Sequence, residues 1–304
     1  MIAKYIDTII PFLNRNKIFK SEYVNQIEGI QFMELSNCWV RYMVKGEGKH
    51  TIVLAPDSPV TIEAYDQVID ILSKKYRVLI FETPAFGFSI PKIQFDFSYN
   101  GWTETIAEFL KKVNLGPYVL AIPCVAGLSA IGIANKYPEM VEGIISTQTP
   151  CWTDERNWVR SWDMKGVMTV PFWSQIMGHY LKTRKVHLIH RVITNKNKKH
   201  LEELSKKTLK EGACNCLATS CQYYLVKEKP ELLVPVKQPA ISIWGEADKS
   251  HIRSGTVKTS ILDYLPNAEI IYLKEAGHFL EVEEPELFTQ IVMDFISNKI
   301  EKTE

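Results

Sequence analysis

The feature that most restricts how this chain can fold is an alternation. Short runs that read as buried strands are separated by segments with helical period. Residues 51–54 (TIVL) and 76–81 (YRVLIF) are compact and apolar. They are too short for helices and rich in branched side chains, as strands covered on both faces are. Between them, residues 62–72 repeat apolar positions every three or four places, which puts those side chains on one face of a helix. The rhythm continues with helical period over 102–113, a strand over 118–122, a helix over 128–137 closed by Pro138, and a strand over 141–146. It returns late, with strands over 240–244 and 270–273 and a closing helix over 285–298. Strands that alternate with helices predict a mainly parallel sheet covered on both faces. Residues 31–35 and 38–44 flank a Ser36-Asn37 turn and predict an antiparallel hairpin, which makes the sheet mixed.

Between Cys151 and Pro235 the alternation stops. The segment shows no convincing buried strand and is too long for an ordinary connection, so it reads as an inserted helical cap. The organisation is then 1–150 as the first part of the core, with 1–27 a helical extension, 151–235 as the cap, and 236–304 as the second part of the core. A chain of 304 residues suits one large core with an insertion.

Composition narrows the function. Hydrophobic residues make up 46% and charged residues 23%, an ordinary globular balance, and the net charge of +1 argues against a wholly basic nucleic-acid binder. The first residues lack the uninterrupted apolar core of a signal peptide, and no window is apolar enough to span a bilayer. Ile2, Tyr5, Ile6, Ile9 and Ile10 fall at helical spacing, which predicts a short helix docked on the body, with a membrane-surface or dimer role as the other reading. A cytoplasmic setting follows as an expectation, with the six cysteines as reduced thiols. Cys214, Cys216 and Cys221 lack a fourth ligand at zinc-site spacing and read as packed helix thiols. No metal or cofactor is expected.

The chemistry is expected where a strand turns sharply into a helix. A side chain at such a turn stands above the sheet while the first helical N–H groups point at developing negative charge. Here the strand YVLAI runs into Pro123-Cys124-Val125-Ala126-Gly127. At this point the chain resembles the α/β-hydrolase superfamily, with the capped architecture of epoxide hydrolases and haloalkane dehalogenases. Glu82 to Ser89 (ETPAFGFS) resembles that family's D-x-P-G-x-G-x-S loop, Gly245-Glu246-Ala247-Asp248 the turn carrying its catalytic acid, and Gly277-His278-Phe279 the loop carrying its histidine. The resemblance covers roughly 30–150 and 236–300 and implies Cys124, Asp248 and His278 as a triad, in the order this fold uses. It also implies an oxyanion hole made by the backbone N–H groups of Asp57 and Val125. Gly127-Leu128-Ser129 imitates half of a serine motif, but relatives keep the nucleophile about four helical turns before the Pro-Glu that ends the next helix. Cys124 stands fourteen residues before Pro138, and Ser129 falls too far into the helix.

The motif departs from the family pattern. Ile122 and Ala126 replace the glycines that flank the nucleophile, and Ala55-Pro56-Asp57-Ser58 stands where relatives have H-G-x-P. A thiol beside an imidazole and at a helix start is expected to have a lowered pKa and to be largely thiolate. Alkylating a cysteine leaves a thioether that water does not cleave, whereas a thioester is readily cleaved. The expectation is therefore acyl chemistry: hydrolysis of an ester, lactone or thioester of a small, largely apolar substrate. The alternatives are transfer of the acyl group to a nucleophile other than water, lyase or decarboxylase chemistry with His278 as base, and a non-catalytic ligand-binding protein.

Trp152, Trp158, Trp162, Phe172 and Trp173 lie early in the cap and are candidates for an aromatic substrate pocket. Residues 182–210 carry ten Lys or Arg against two acids. That stretch reads either as a solvated face or as a docking surface for an acidic carrier protein or a CoA-linked substrate. Neither membrane association nor nucleic-acid binding is expected.

Overall fold

The computed structural model describes residues 2–163, 166–189 and 195–302, and their side chains apart from those of 162, 184–189 and 195–196. Its first helix, Lys4–Phe19 (α1), precedes the antiparallel hairpin Gln31–Glu34 (β1) and Cys38–Lys45 (β2). There follow Thr51–Leu54 (β3), Asp66–Leu72 (α2), Arg77–Phe81 (β4), and the short strands Phe86–Gly87 (β5) and Ile90–Pro91 (β6). Tyr99–Val113 (α3), Tyr118–Ala121 (β7), Cys124–Lys136 (α4) and Val141–Thr147 (β8) complete the first part of the core. Helices Trp152–Trp162 (α5), Trp173–Ile189 (α6), Asn195–Lys210 (α7) and Leu217–Tyr223 (α8), with the two-residue strand Cys214–Asn215 (β9), intervene before Ala240–Gly245 (β10). The chain closes with Lys249–Ser254 (α9), Glu269–Leu273 (β11), Leu280–Glu283 (α10) and Pro285–Phe295 (α11).

The large sheet runs β1-β2-β4-β3-β7-β8-β10-β11, with β6 paired to β2. From β4 to β11 every pairing is parallel, while β2 is antiparallel to β1, β4 and β6. Successive side chains of a strand face opposite sides, and the two cores follow that rule. Val53, Leu79, Phe81 and Leu120 join one core with residues of α3 and α4, while Ile52, Leu54, Val78, Ile80 and Val119 join the other with residues of α2 and α11. Parallel strands buried on both faces place all their C-terminal ends at one edge. The loops after β3, β7, β10 and β11 therefore meet there, which is where this class of sheet binds ligands.

Several boundaries move. The helix expected over 62–72 is a 3-10 turn, Ile62–Ala64, followed by α2, because Tyr65 at φ −99° and ψ 10° interrupts it. α4 begins at Cys124 rather than at Leu128. The segment expected to be all helix and loop does contain a strand: β9 pairs antiparallel with β5, Phe86 opposite Asn215 and Gly87 opposite Cys214. Two residues carry no periodicity to read. Cys214 thus lies in a strand, Cys216 just after it, and Cys221 in α8. α1 packs the opposite face from the one its isoleucines suggested. Asp7, Thr8, Pro11 and Ile18 are buried, whereas Ile2, Tyr5, Ile9 and Ile10 are exposed. The physical reason is polar: Asp7 accepts from His179 Nε2 at 2.8 Å and from the Thr219 hydroxyl. Among the described residues no helix is long and apolar enough to cross a membrane.

A buried ion cluster fixes the loop after β4. Arg41, fully buried, donates to Glu82 Oε1 at 2.7 Å, Glu63 Oε1 at 2.8 Å and the Val24 carbonyl at 2.7 Å. Glu82 in turn accepts from the Phe88 N–H, so the ETPAFGFS loop is clamped from inside.

Candidate active site

Cys124 is the first residue of α4 and has φ +52°, a left-handed conformation that costs a non-glycine residue energy. β7 ends at Ala121, and Pro123 at φ −85° and ψ 164° is still extended, so the chain reverses within one residue. The close approach this requires falls on a different glycine from those the family pattern names. A Cβ on Gly127 would lie 2.5 Å from Thr149 Oγ1 and 2.7 Å from the Ile122 carbonyl oxygen. Thr149 Oγ1 also lies 3.0 Å from the Cys124 carbonyl oxygen, which it holds in place. Ile122 buries its side chain in the core, and the proline that follows it disfavours a helical backbone there. Ser129 lies inside α4, buried, 2.9 Å from the Tyr224 hydroxyl.

Asp248 ends the turn after β10 and caps α9, accepting from the Ser250 N–H at 2.8 Å and from its hydroxyl at 2.6 Å. Its Oδ2 lies 2.7 Å from His278 Nδ1. The histidine loop is pressed against the end of β10, where a Cβ on Gly245 would lie 2.0 Å from the Gly277 carbonyl oxygen. Gln148, at φ +51°, donates to that same carbonyl at 3.0 Å. The structure therefore brings Cys124, Asp248 and His278 together, from three different strand ends.

The Asp57 side chain makes a contact that its sequence motif does not indicate. Its carboxylate Oδ2 lies 3.1 Å from His278 Nε2, so the histidine sits between two carboxylates. Both partners are acceptors, and both ring nitrogens carry protons. Burial opposes charge on His278, but Asp248, Cys124 and the bonds from Asp248 and Asp57 outweigh it and hold the imidazole well above its ordinary value. Asp248 is likewise penalised by burial, yet the neighbouring His278, His251 and Ser250 hold its carboxyl at about 2. Cys124 is where the thiolate expectation fails. Burial, then the Asp57 and Glu155 carboxylates, push its thiol well above the ordinary range against the opposing pull of His278. Cys124 Sγ, His278 and Asp57 have donor atoms within 4.8 Å of one another, as do Asp248, His251 and His278.

A cavity of about 130 Å³ opens over Cys124 between the core and the cap. Pro56, Asp57, Val125 and His278 line its floor, and Phe86, Trp102, Trp158 and Met168 line its walls. Among the described lining residues there is no lysine or arginine. Trp158 is the described cap aromatic that reaches the cavity. Its ring stacks on His278 at 5.1 Å and 6° and on His251 at 5.3 Å, while its indole N–H donates to Ser250 Oγ at 2.8 Å. Trp152 lies elsewhere, buried against Tyr99 and Tyr224. Phe172 and Trp173 are about half exposed and lie outside the lining. The side chain of Trp162 and much of the basic stretch over 182–210 fall outside the described residues.

Sequence reasoning missed one residue beside the sulfur. Glu155, on α5, is fully buried with Oε1 4.0 Å from Cys124 Sγ. Its signal was weak: Asp154-Glu155 reads as an ordinary acidic first turn. The walls Phe86 and Trp102 come from the core, and their aromatic character was visible but not their position.

No family model matches this chain. Among curated proteins, the 2-hydroxy-6-oxononadienedioate/2-hydroxy-6-oxononatrienedioate hydrolase of Paraburkholderia phymatum is 24% identical over 298 residues, spanning 91% of this chain and 95% of that protein. The epoxide hydrolase of Bacillus megaterium superposes with a TM-score of 0.67 at 17% identity, covering 88% of this chain and all of that one. The enol-lactonase of Burkholderia xenovorans LB400 does so with a TM-score of 0.65 at 16% identity, covering 88% and 100%. With its mixed, mostly parallel sheet flanked by helices, this chain has the α/β-hydrolase fold.

Proposed function

We propose that this protein is an acyl hydrolase that forms a thioester on Cys124 and acts on an uncharged, largely apolar ester, lactone or thioester. The observation that carries the reading is Cys124 itself: a left-handed residue at the first turn of α4, beside a histidine aligned by a buried aspartate, at the floor of an apolar cavity. Strain of that kind is retained where a side chain must be presented. Sulfur attacks the acyl carbonyl, and the backbone N–H groups of Asp57 and Val125 receive the oxygen as charge develops. Asp248 orients His278, whose imidazolium supports the negative charge around the sulfur. Water then attacks the acyl carbon as the Asp57–His278 pair takes its proton; the C–S bond breaks, the acid departs, and the sulfur takes that proton back as the thiol.

The charge of the cavity sets the substrate class. Asp57 is in the lining and, among the described lining residues, no lysine or arginine faces it; the His278 imidazolium in the floor is already matched by Asp57 and Asp248, so an anionic acyl group would meet repulsion with no free cation to offset it. The Paraburkholderia relative is named for a dioate, a doubly anionic substrate; this cavity suits a neutral one. The enol-lactonase name on a similar fold is compatible with the same ester chemistry. An imidazolium between two carboxylates is poorly suited to act alone as a base, which favours the acyl reading over lyase chemistry.

The experiment is intact-mass analysis after incubation with neutral p-nitrophenyl esters of increasing chain length. A single acyl adduct is expected on the native protein and none on Cys124→Ala. Turnover retained by Cys124→Ala refutes the reading. An adduct that water leaves intact but an added amine or alcohol releases makes the protein a transferase instead.

A further inference from the structure

The thiol proton needs somewhere to go, and His278, although it lies beside the thiol, already carries a proton on each ring nitrogen and is a poor acceptor for another. Both of its ring nitrogens are engaged by carboxylates, at 2.7 Å to Asp248 and 3.1 Å to Asp57. The acceptor that the thiol faces is on the cap. Cys124 Sγ points at Glu155 Oε1, 4.0 Å away, and the second carboxyl oxygen of Glu155 is buried without a hydrogen-bond partner. A fully buried carboxyl with a free oxygen is costly to keep unless it has a task. We propose that Glu155 is a catalytic residue of the acylation step, accepting the Cys124 proton as sulfur attacks and handing it to the departing group.

This rests on the thioester reading of Cys124. The step balances without any further reactant. The S–H bond breaks as the S–C bond forms, the proton passes to Glu155 Oε1, and the carbonyl π pair moves to oxygen. When that pair returns, the C–O bond to the departing alcohol breaks, its electrons take the proton back from Glu155, and the carboxylate is restored. The surroundings match the task. Asp57 from the loop after β3, Cys124 from α4, His278 from the loop after β11 and Asp154 on its own helix face Glu155, with Cys221 and Tyr224 of the α8 region beyond. Burial pushes the carboxyl up to about 8, with Asp57 and Asp154 adding to the rise and His278 opposing it. A proton acceptor for a thiol works best when its affinity approaches that of the thiol, and an ordinary exposed glutamate is far too weak a base.

The test compares wild type with Glu155→Gln, an isostere that removes the proton-transfer function but keeps the shape. Acylation of Cys124 is followed by rapid quench and intact mass, using matched p-nitrophenyl and methyl esters. A methyl ester releases a strongly basic alkoxide and depends on proton delivery, whereas p-nitrophenolate leaves without help. The expected result is a loss of about tenfold or more for the p-nitrophenyl ester, which needs only the base, and a further loss of about tenfold or more for the methyl ester, which needs the proton delivered as well. In wild type the acylation rate should climb roughly tenfold per pH unit below about 8, because protonated Glu155 cannot take the thiol proton, and level off above it; Glu155→Gln should lack that limb. Equal losses for both esters, unchanged rates, or faster acylation of the variant each overturn the assignment, the last showing that the carboxylate only repels charge at sulfur. In all three cases an adduct still forms on Cys124, whereas failure of the thioester reading leaves no adduct there in wild type.

Discussion

Replacing Asp57 with asparagine tests how the site controls its thiol. The carboxylate lies within 4.8 Å of the sulfur. Two unit charges at that separation interact by about 3.5 kcal/mol at an effective dielectric of about 20. The Asp57 side chain is 25% exposed, and solvent screening reduces the term to roughly 1.5 kcal/mol, about one pKa unit on the thiol. Burial acts unchanged in the variant, and Asp248 still holds His278 at 2.7 Å. Below its pKa a thiol reacts in proportion to its thiolate fraction. Asp57→Asn should therefore be alkylated by iodoacetamide about tenfold faster than wild type at neutral pH, at Cys124 alone among the buried cysteines. The assay is a time course of intact mass with peptide mapping of the modified residue. Equal or slower alkylation refutes the argument, because it would mean that the Asp57 bond to His278 stabilises the thiolate more than its charge opposes it.

Asp248→Asn keeps the shape of the turn but removes the carboxylate that orients His278; kcat should fall by about 10³–10⁴-fold while the variant remains folded by circular dichroism. Arg41→Ala leaves Glu82 and Glu63 buried without their cation, and urea titration should show a loss of about 3–5 kcal/mol, far more than for an exposed pair such as Lys45→Ala.

How much of the site was legible differs from residue to residue. The placement of Cys124, Asp248 and His278 was readable because each follows a strand that ends in a recognisable turn, and the order of those turns is set by the fold. The role of the Asp57 carboxylate was not readable. Its backbone place in the loop after β3 follows from sequence, but whether the side chain turns to solvent or to Nε2 of a histidine 221 residues away is settled only by packing. The thiol's proton affinity was misjudged for the same reason. A helix start and a nearby imidazole argue for a thiolate, and burial, with carboxylates from the loop after β3 and from α5, reverses the balance. Composition shows the aromatic side chains between Cys151 and Pro235, but which ring meets the cavity depends on the phase of α5. Trp158 faces His278, while Trp152, six positions earlier, turns towards Tyr99 and Tyr224.

Sequence alone determined the sheet, the side-chain alternation that divides two cores, and the strand ends at which chemistry is gathered. These are consequences of periodicity, which is local and survives in one dimension. Tertiary structure decided what charge the gathered groups carry. Proton affinity depends on burial and on neighbours within a few ångströms, and here those neighbours arrive from four segments far apart in the chain: Asp57 after β3, Cys124 after β7, Glu155 in the cap, and His278 after β11.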